Sequence, residues 1–411
     1  MNGEKHGEKE VVQPRLMVFS SLFPHSGAPG AGLFIRERMF RVGRELPLVV
    51  ISPKPWFPGQ GLIRRLRPHF RPPAPRHEVQ EGIDVHFPRF LSLPGLFRRL
   101  DGISMALGSY RLMKRLAREH GCNLIDAHFA YPDGYAATRL GKWLNLPVTI
   151  TLRGTEVPHS RVPALRKRLV KALQDASWIF SVSQALKDHV VGLGVSEEKI
   201  QVVGNGVDTE KFQPVPKEEA REALSLDARG PVLISVGALV ERKGFHRVIE
   251  VLPRLVESYP DLVYLVVGGP GPEGDWSERL RQQVEDLGLE RHVRFIGPVP
   301  PAELKVPLSA ADLFVLATSN EGWANVFLEA MACGLPVITT EVGGNREVVC
   351  RETLGALVPF GDAEALYRAI SAGLEKQWNT GEILDYAREN GWETRVTQLR
   401  ATFDRLTARP Q

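Results

Sequence analysis

Apolar residues are distributed along this chain in two alternating textures. Short unbroken runs rich in Val, Ile and Leu are separated by longer stretches in which apolar residues recur every three or four positions. The first texture predicts buried strands and the second amphipathic helices. "RLMVFSSLF" (15–23) predicts a strand, 24–32 a Gly/Pro loop, "LFIRERMFRVGREL" (33–46) a helix, and "PLVVIS" (47–52) the next strand. Residues 53–80, rich in Pro and Arg, predict a long irregular excursion. A helix through 103–120 then leads to "NLIDAHF" (123–129), one near 134–145 to "PVTITLRG" (147–154), and one at 162–175 to "WIFSVS" (178–183). "KIQVVGNGVD" (199–208) is a strand ending in a turn.

The pattern then restarts. The polar, Pro-containing stretch 209–222 predicts an interdomain linker. "PVLISVGAL" (231–239) opens a second set, followed by helix 244–258, "LVYLVVGG" (262–269), helix 275–287, "VRFIG" (293–297), helix 301–310 and "LFVLAT" (313–318). "EGWANVFLEAMACGLPV" (321–337), "PVITT" (336–340), "GALVP" (355–359) and helices near 362–376 and 392–408 complete it. Near-continuous apolar strands separated by helices imply parallel sheets covered on both faces. The fold class is therefore α/β, with two doubly wound, Rossmann-like parallel-sheet domains facing a cleft. We place the first domain at 13–205 and the second at 206–389, with a C-terminal helix at about 390–409 packing back onto the first.

Composition narrows the class. A chain of 411 residues exceeds one ordinary core, and 43% hydrophobic with 24% charged residues is usual for a soluble globular protein. No apolar run approaches the roughly 20 residues that span a bilayer. Residues 1–12 lack the apolar core of a secretion signal, so a cytoplasmic location is expected, with peripheral attachment to the inner face of the cell membrane as its variant. The three cysteines, Cys122, Cys333 and Cys350, form no metal or redox spacing.

The net charge of +4 conceals an imbalance: residues 1–205 carry 30 Lys and Arg against 17 Asp and Glu, the remainder 22 against 31. Basic clusters stand at Arg64, Arg65, Arg67, Arg71 and Arg76, at Arg98 and Arg99, and at Arg166, Lys167 and Arg168. They lack the interleaved aromatics of a nucleic-acid stacking platform, so nucleic acid is not an expected partner. A solvated basic face and an anionic membrane surface are the two readings, each basic residue near such a surface being worth about 1 kcal/mol.

Ligands of open α/β sheets bind beyond the carboxyl ends of strands. "HSGAPGAG" (25–32) follows the first strand; Gly27, Gly30 and Gly32 permit close backbone approach to a phosphate ahead of a helix start. Gly269-Pro270-Gly271-Pro272-Glu273-Gly274 formally matches G-x-G-x-x-G, but its prolines remove two N–H groups from a loop meant to donate them, and it sits in mid-domain. Lys243-Gly244 opens a helix after the second domain's first strand, where a lysine is placed for a diphosphate; Glu241 and Arg242 beside it read as solvated. In 321–337 a helix start near Asn325 leaves the backbone N–H groups of Asn325, Val326 and Phe327 to hold a phosphate. Glu329, one turn in, can accept hydrogen bonds from vicinal ribose hydroxyls, while Glu321 lies in the preceding loop where a sugar would project.

In combination and order, Lys243-Gly244, the E-x₇-E pair Glu321 and Glu329, "EAMACGLPV" and "VGGNREVV" (342–349) resemble the retaining nucleotide-sugar glycosyltransferases of family 4, which have the GT-B fold. "NGVDTEKF" (205–212) is similar to that family's domain junction, and "DAHFAYPDG" (126–134) and "TLRGTE" (151–156) to its first-domain turns. The resemblance covers about 15–405. It implies that Glu329 binds ribose, that the backbone of 325–327 binds pyrophosphate, that Lys243 neutralises the leaving diphosphate, and that Glu321 contacts the transferred sugar. It implies His128 beside the sugar as a catalytic group, the "VRFIG" turn around Phe295 against the base, and Glu156 on the acceptor or phosphate side. This chain departs from the family pattern in three places. A family arginine is Ala238 here, so Arg36, Arg153 or Arg242 would supply the second phosphate cation. A family histidine is Arg153, and Asn325 replaces a glycine, as in bacterial polysaccharide and cell-wall transferases.

The expected activity is transfer of a sugar from a nucleotide diphosphate sugar to an acceptor hydroxyl of a glycan or lipid-linked acceptor, with retention. No cofactor or metal is expected, since no Asp-x-Asp motif occurs. A nucleotide-sugar 2-epimerase of the same fold and a catalytically idle nucleotide-sugar-binding protein are the alternatives.

Overall fold

The computed structural model describes residues 13–66, 71–93, 98–226, 229–271 and 273–408. The chain divides into two compact units, Met1–Gly204 with Arg395–Gln411, and Asn205–Thr394.

The first unit holds strands β1 (Leu16–Phe19), β2 (Leu48–Ile51), β3 (Lys54–Trp56), β4 (His77–Gln80), β5 (Ile83–His86), β6 (Arg89–Leu91), β7 (Leu124–His128), β8 (Val148–Leu152), β9 (Trp178–Ser181) and β10 (Ile200–Val202). Eight form one sheet in the order β10-β9-β8-β7-β1-β2-β5-β4. All its pairings are parallel except β4 with β5. β3 and β6 pair separately. Every residue of β1, β7 and β8 is buried, as expected of strands covered on both faces. The helix Trp392–Thr407 feeds Val396, Leu399 and Phe403 into this unit's core, where the Phe403 ring stands edge-on to Phe180 at 5.8 Å.

The second unit holds β11 (Val232–Val236), β12 (Val263–Val267), β13 (Val293–Gly297), β14 (Leu313–Leu316), β15 (Val337–Thr340) and β16 (Gly355–Val358), all parallel, in the order β13-β12-β11-β14-β15-β16. An apolar layer lies on each face: Val232 and Ile234 of β11 join one, Leu233 the other. The helix Phe245–Ser258 shows why such segments fold as they do. Its buried Phe245, Val248, Ile249, Leu252 and Leu255 recur every three or four residues and form one apolar stripe.

Three expectations change. The excursion at 53–80 contains β3, the helix Gln60–Leu66 and the edge strand β4, so the first sheet is mixed and not wholly parallel. The stretch 209–222 is not a free linker: it lies within the second unit, its Phe212 and Ala220 are core residues, and it forms the helix Lys217–Ala223. Burial of one phenylalanine and one alanine outweighs the polarity of the segment. "VRFIG", read both in the strand series and as a turn against the base, is strand β13 throughout, so the turn begins only after Gly297. A helix at Thr380–Glu389, absent from the sequence reading, buries Ile383, Tyr386 and Ala387. Residues 1–12 and Arg67, on which sequence expectations also fell, lie outside the described residues. Among the described residues no helix is long and apolar enough to cross a membrane.

Candidate functional site

Each sheet reverses its strand order beside its first strand. β1 lies between β2 and β7, and β11 between β12 and β14. The turns at the carboxyl ends of these strands are where ligands of such sheets bind, and they carry most of the candidate residues.

In the second unit the chain leaves β11, makes a short turn at Glu241–Lys243, and enters the helix Phe245–Ser258 through Gly244. Gly244 has φ 75°, and a Cβ there would lie 1.9 Å from the Ala317 carbonyl oxygen. Only glycine allows this approach, which lays the Lys243 turn against the end of β14. The Ser319 N–H and the Thr318 hydroxyl close the gap by donating to the Arg242 carbonyl at 2.8 and 3.0 Å. Lys243 Nζ then lies 2.7 Å from Glu321 Oε1. Arg242 is not solvated as expected: Nη1 reaches the same Glu321 oxygen at 3.3 Å, while Nε and Nη2 grip the Glu273 carboxylate at 2.9 and 2.6 Å. Of the three arginines considered as the second phosphate cation, Arg242 is the one beside Lys243. Glu321 is only 9% exposed, and the Gly344 N–H donates to its carbonyl at 3.1 Å, which fastens the "VGGNREVV" turn to the same point.

The helix Asn325–Ala332 begins four residues later. Phe327 N–H donates to the Ala324 carbonyl at 3.1 Å and its ring is fully buried, so the N–H expected to meet a phosphate is already used. Asn205 Nδ2 donates to Asn325 Oδ1 at 2.7 Å, which orients the asparagine that stands where the family has glycine. Glu329 lies one turn into the helix, half-buried. Phe295 sits within β13, half-buried, with the Arg281 guanidinium 4.4 Å from its ring centre, so the ring packs on the protein; the strand end, Gly297, is the backbone nearer the ligand-binding edge. In the formal G-x-G-x-x-G loop, Gly271 and Gly274 exchange N–H···O bonds of 2.9 and 3.0 Å, which uses the donors a dinucleotide would need.

In the first unit the groups are enclosed. Asp126 and His128 point from β7, Arg153 follows β8, and Arg38 comes from the helix Leu33–Gly43. Arg153 Nη2 lies 3.1 Å from His128 Nδ1. A guanidinium has only donors, so Nδ1 accepts and the ring proton sits on Nε2, 3.4 Å from Asp126 Oδ2. Burial first, then Arg153 and Arg38, hold the His128 pKa well below its ordinary value, so the ring is neutral. Burial pushes Asp126 up to about 6 against a 2.6 Å bond from Thr149 and the Arg38 charge, and brings Arg38 down to about 10. This revises the expectation for His128. With 0% exposure the ring is enclosed, and Arg153, which it contacts, is only half-buried. Phe129, directly after His128, has φ 71° and ψ 138°, a conformation that costs about 1–3 kcal/mol outside glycine and tends to persist at functional turns.

Glu156 is fully buried. Its carboxylate accepts from the N–H groups of Ala130, Arg153 and Gly154 at 3.0, 3.2 and 2.8 Å. It ties the turn after β7 to the turn after β8, with its carboxylate turned inward. Arg36 packs over the Phe40 ring on its own helix, with Glu37 at 3.8 Å. Gly32 caps that helix at φ 71°, where a Cβ would meet the Leu22 carbonyl at 2.6 Å; nothing lies within 4 Å of a Cβ at Gly30.

Two groups escaped the sequence reading. Arg38 is one, and its signal was present: it lies on the buried stripe Ile35, Met39, Val42. The other is a network around Asp133, whose carboxylate takes the Ser21 N–H and, at 3.1 Å, the Ser21 hydroxyl, while Lys54 Nζ donates to the Ser21 carbonyl at 2.9 Å. Burial raises Asp133 to about 6 and lowers Lys54 to about 8.

Two family models match the chain: "Glycosyl transferases group 1" over 216–393 and "Glycosyltransferase Family 4" over 44–211. A relative from Bacillus subtilis, TuaC, whose name places it in teichuronic acid biosynthesis, is 29% identical over 90% of this chain and 92% of its own. The D-inositol 3-phosphate glycosyltransferase of Corynebacterium urealyticum is 31% identical over 72% of this chain and 74% of its own. Among solved structures, HepE of Anabaena in complex with UDP matches 95% of this chain and 100% of its own with a TM-score of 0.72 at 22% identity, a likeness of fold. The chain belongs to the family-4 glycosyltransferases of the GT-B fold. It is accordingly a glycosyltransferase.

Proposed function

We propose that this enzyme moves a sugar from a nucleotide diphosphate sugar to a hydroxyl of a glycan or lipid-linked acceptor, with retention at the anomeric carbon, in the assembly of a cell-surface polysaccharide or glycolipid. The observation that carries the reading is the convergence of Lys243, Arg242 and Glu321 at the strand-order reversal of the second unit, with Glu329 one turn into the adjoining helix. Glu329 takes the ribose hydroxyls. Lys243, together with the helix-start N–H groups of Asn325 and Val326, takes the diphosphate, and Glu321 meets the sugar hydroxyls. The acceptor oxygen bonds to the anomeric carbon as the bond to the phosphate oxygen breaks. The diphosphate leaves, and the acceptor's proton passes to the departing phosphate oxygen. Lys243 and the helix start supply the charge stabilisation, so the reading assigns no metal to the diphosphate. In the first unit, neutral His128 orients Arg153, which this reading assigns to the acceptor side.

The names of the relatives support this reading: TuaC names teichuronic acid biosynthesis, the Corynebacterium enzyme names D-inositol 3-phosphate, and HepE is in complex with UDP. A peripheral position on the inner face of the cell membrane is supported by exposed apolar side chains in the first unit. Trp56 of β3 pairs with Leu91 of β6, and Leu62 and Ile63 project from the helix Gln60–Leu66 beside Arg65.

Thermal-shift screening of nucleotide sugars identifies the donor, because a ligand at 100 times its dissociation constant adds about 2.7 kcal/mol. Incubation of that donor with lipid-linked and glycan acceptors is then expected to give a glycosylated product of retained configuration. An epimerised donor, or bound donor with no product under any acceptor, would overturn the proposal in favour of an epimerase or an idle binding protein.

A further inference from the structure

The edge hairpin β4–β5 turns at Glu81 and Gly82, whose φ values are 49° and 82°. Positive φ at both central residues is the tight hairpin turn that fixes strand register. In that register His77 stands opposite His86, and Val79 opposite Asp84. Side chains alternate along a strand, so His77, Asp84 and His86 share one face while Glu78 and Gln80 point to the other.

On the first face His77 Nε2 lies 2.7 Å from Asp84 Oδ1, and the two imidazole centroids are 4.6 Å apart. One ligand atom from each of the three residues lies within 4.8 Å of the other two. Tetrahedral coordination with bonds of about 2.0–2.2 Å needs ligand atoms about 3.3 Å apart, which side-chain rotation alone can reach from here. Two imidazoles and a carboxylate suit zinc or a similar borderline divalent ion, with a fourth position left to water.

On the other face the same strand holds the glycine-rich loop. Glu78 Oε1 accepts the Ser26 N–H at 3.0 Å, and Gln80 Nε2 donates to the Pro24 carbonyl at 3.0 Å. β4 is an edge strand with a single sheet neighbour, β5. Whatever fixes β4 to β5 therefore also fixes the residues that hold the loop.

We propose that His77, Asp84 and His86 form a divalent transition-metal site that cross-links β4 to β5 and thereby braces the glycine-rich loop 25–32. The site is independent of the transferase reading. It uses none of the residues assigned to the donor, and its metal takes no part in the reaction.

The test is calorimetric titration of the chelator-stripped full chain with Zn²⁺, joined to amide hydrogen exchange of residues 25–31. One equivalent is expected to bind, with affinity falling at least tenfold in His77→Ala, whose exposed position spares the fold, and in Asp84→Asn. Exchange in the loop is expected to slow with Zn²⁺ in the parent protein and not in His77→Ala. The proposal is overturned by absence of stoichiometric binding, by binding that His77→Ala leaves intact, or by binding that leaves loop exchange unchanged.

Discussion

Both units collect charged side chains at the carboxyl ends of strands flanking a reversal of strand order, and there the likeness ends. In the second unit Lys243, Arg242 and Glu321 form a paired cluster on turns, with the two cations half-buried and still able to exchange partners. In the first, Arg38, Asp126 and His128 are enclosed and their pKa values move toward the neutral forms. One topology supplies both positions, and burial decides what the charges do there. Exposed enough to trade partners, they can bind a ligand; sealed, they fix the geometry of a neighbour such as Arg153.

The largest effect that could break this contrast is on stability. Asp126→Ala removes the opposing charge that acts on the buried Arg38 guanidinium and the acceptor of the 2.6 Å Thr149 bond, and leaving a buried charge uncompensated costs about 3–5 kcal/mol. Urea unfolding measures it, and a loss below about 1 kcal/mol would show that the first-unit cluster is not an ionic core. Next comes Glu321→Ala, which is expected to cut turnover by about 10²–10³-fold, the scale of a lost electrostatic contact in the transition state, with little change in affinity for the free nucleotide. Equal losses in both would place Glu321 in ground-state nucleotide binding instead. Glu329→Ala is expected to do the converse, weakening nucleotide binding by about 1–3 kcal/mol; calorimetry with the free nucleotide reads it, and unchanged affinity sinks the ribose assignment.

The smallest effect is a pH dependence. His128 has a lowered folded pKa, so the unfolded chain takes up the proton first as pH falls through about 6.5, and the histidine's contribution to stability is lost below that point. Asp126 opposes it: its folded pKa, raised to about 6, means the folded state holds more protons between about 4 and 6, which favours folding as pH falls there. His128→Gln is therefore expected to flatten the decline in stability between pH 6.5 and 5. An unchanged decline would show that His128 is not held neutral.

Legibility in the sequence followed burial and spacing. The strands β1, β7, β8, β11, β12 and β14 were readable because parallel strands buried on both faces are unbroken apolar runs. β4 was not, because "HEVQ" is an edge strand with no apolar alternation, set among prolines and arginines. The 209–222 stretch misled because two buried apolar residues, Phe212 and Ala220, anchor a segment of otherwise polar composition. Glu321, Glu329 and Lys243-Gly244 were visible as a spacing. Arg38 was visible only as a charge on an apolar stripe, and Glu156 gave no sign that its carboxylate would turn inward to three backbone N–H groups.

By itself the sequence determined the two α/β units, the strands buried on both faces and the order of the motifs, because local periodicity and the demand to bury apolar runs are written residue by residue. Only the tertiary structure decided which charges meet. The pairing of Lys243 with Glu321 depends on Gly244 letting one turn press against the end of β14, 78 positions separating the two partners. The neutral state of His128 depends on an arginine from another strand end and on exclusion of water. Contact and desolvation of this kind arise between residues far apart in the chain, where no local pattern records them.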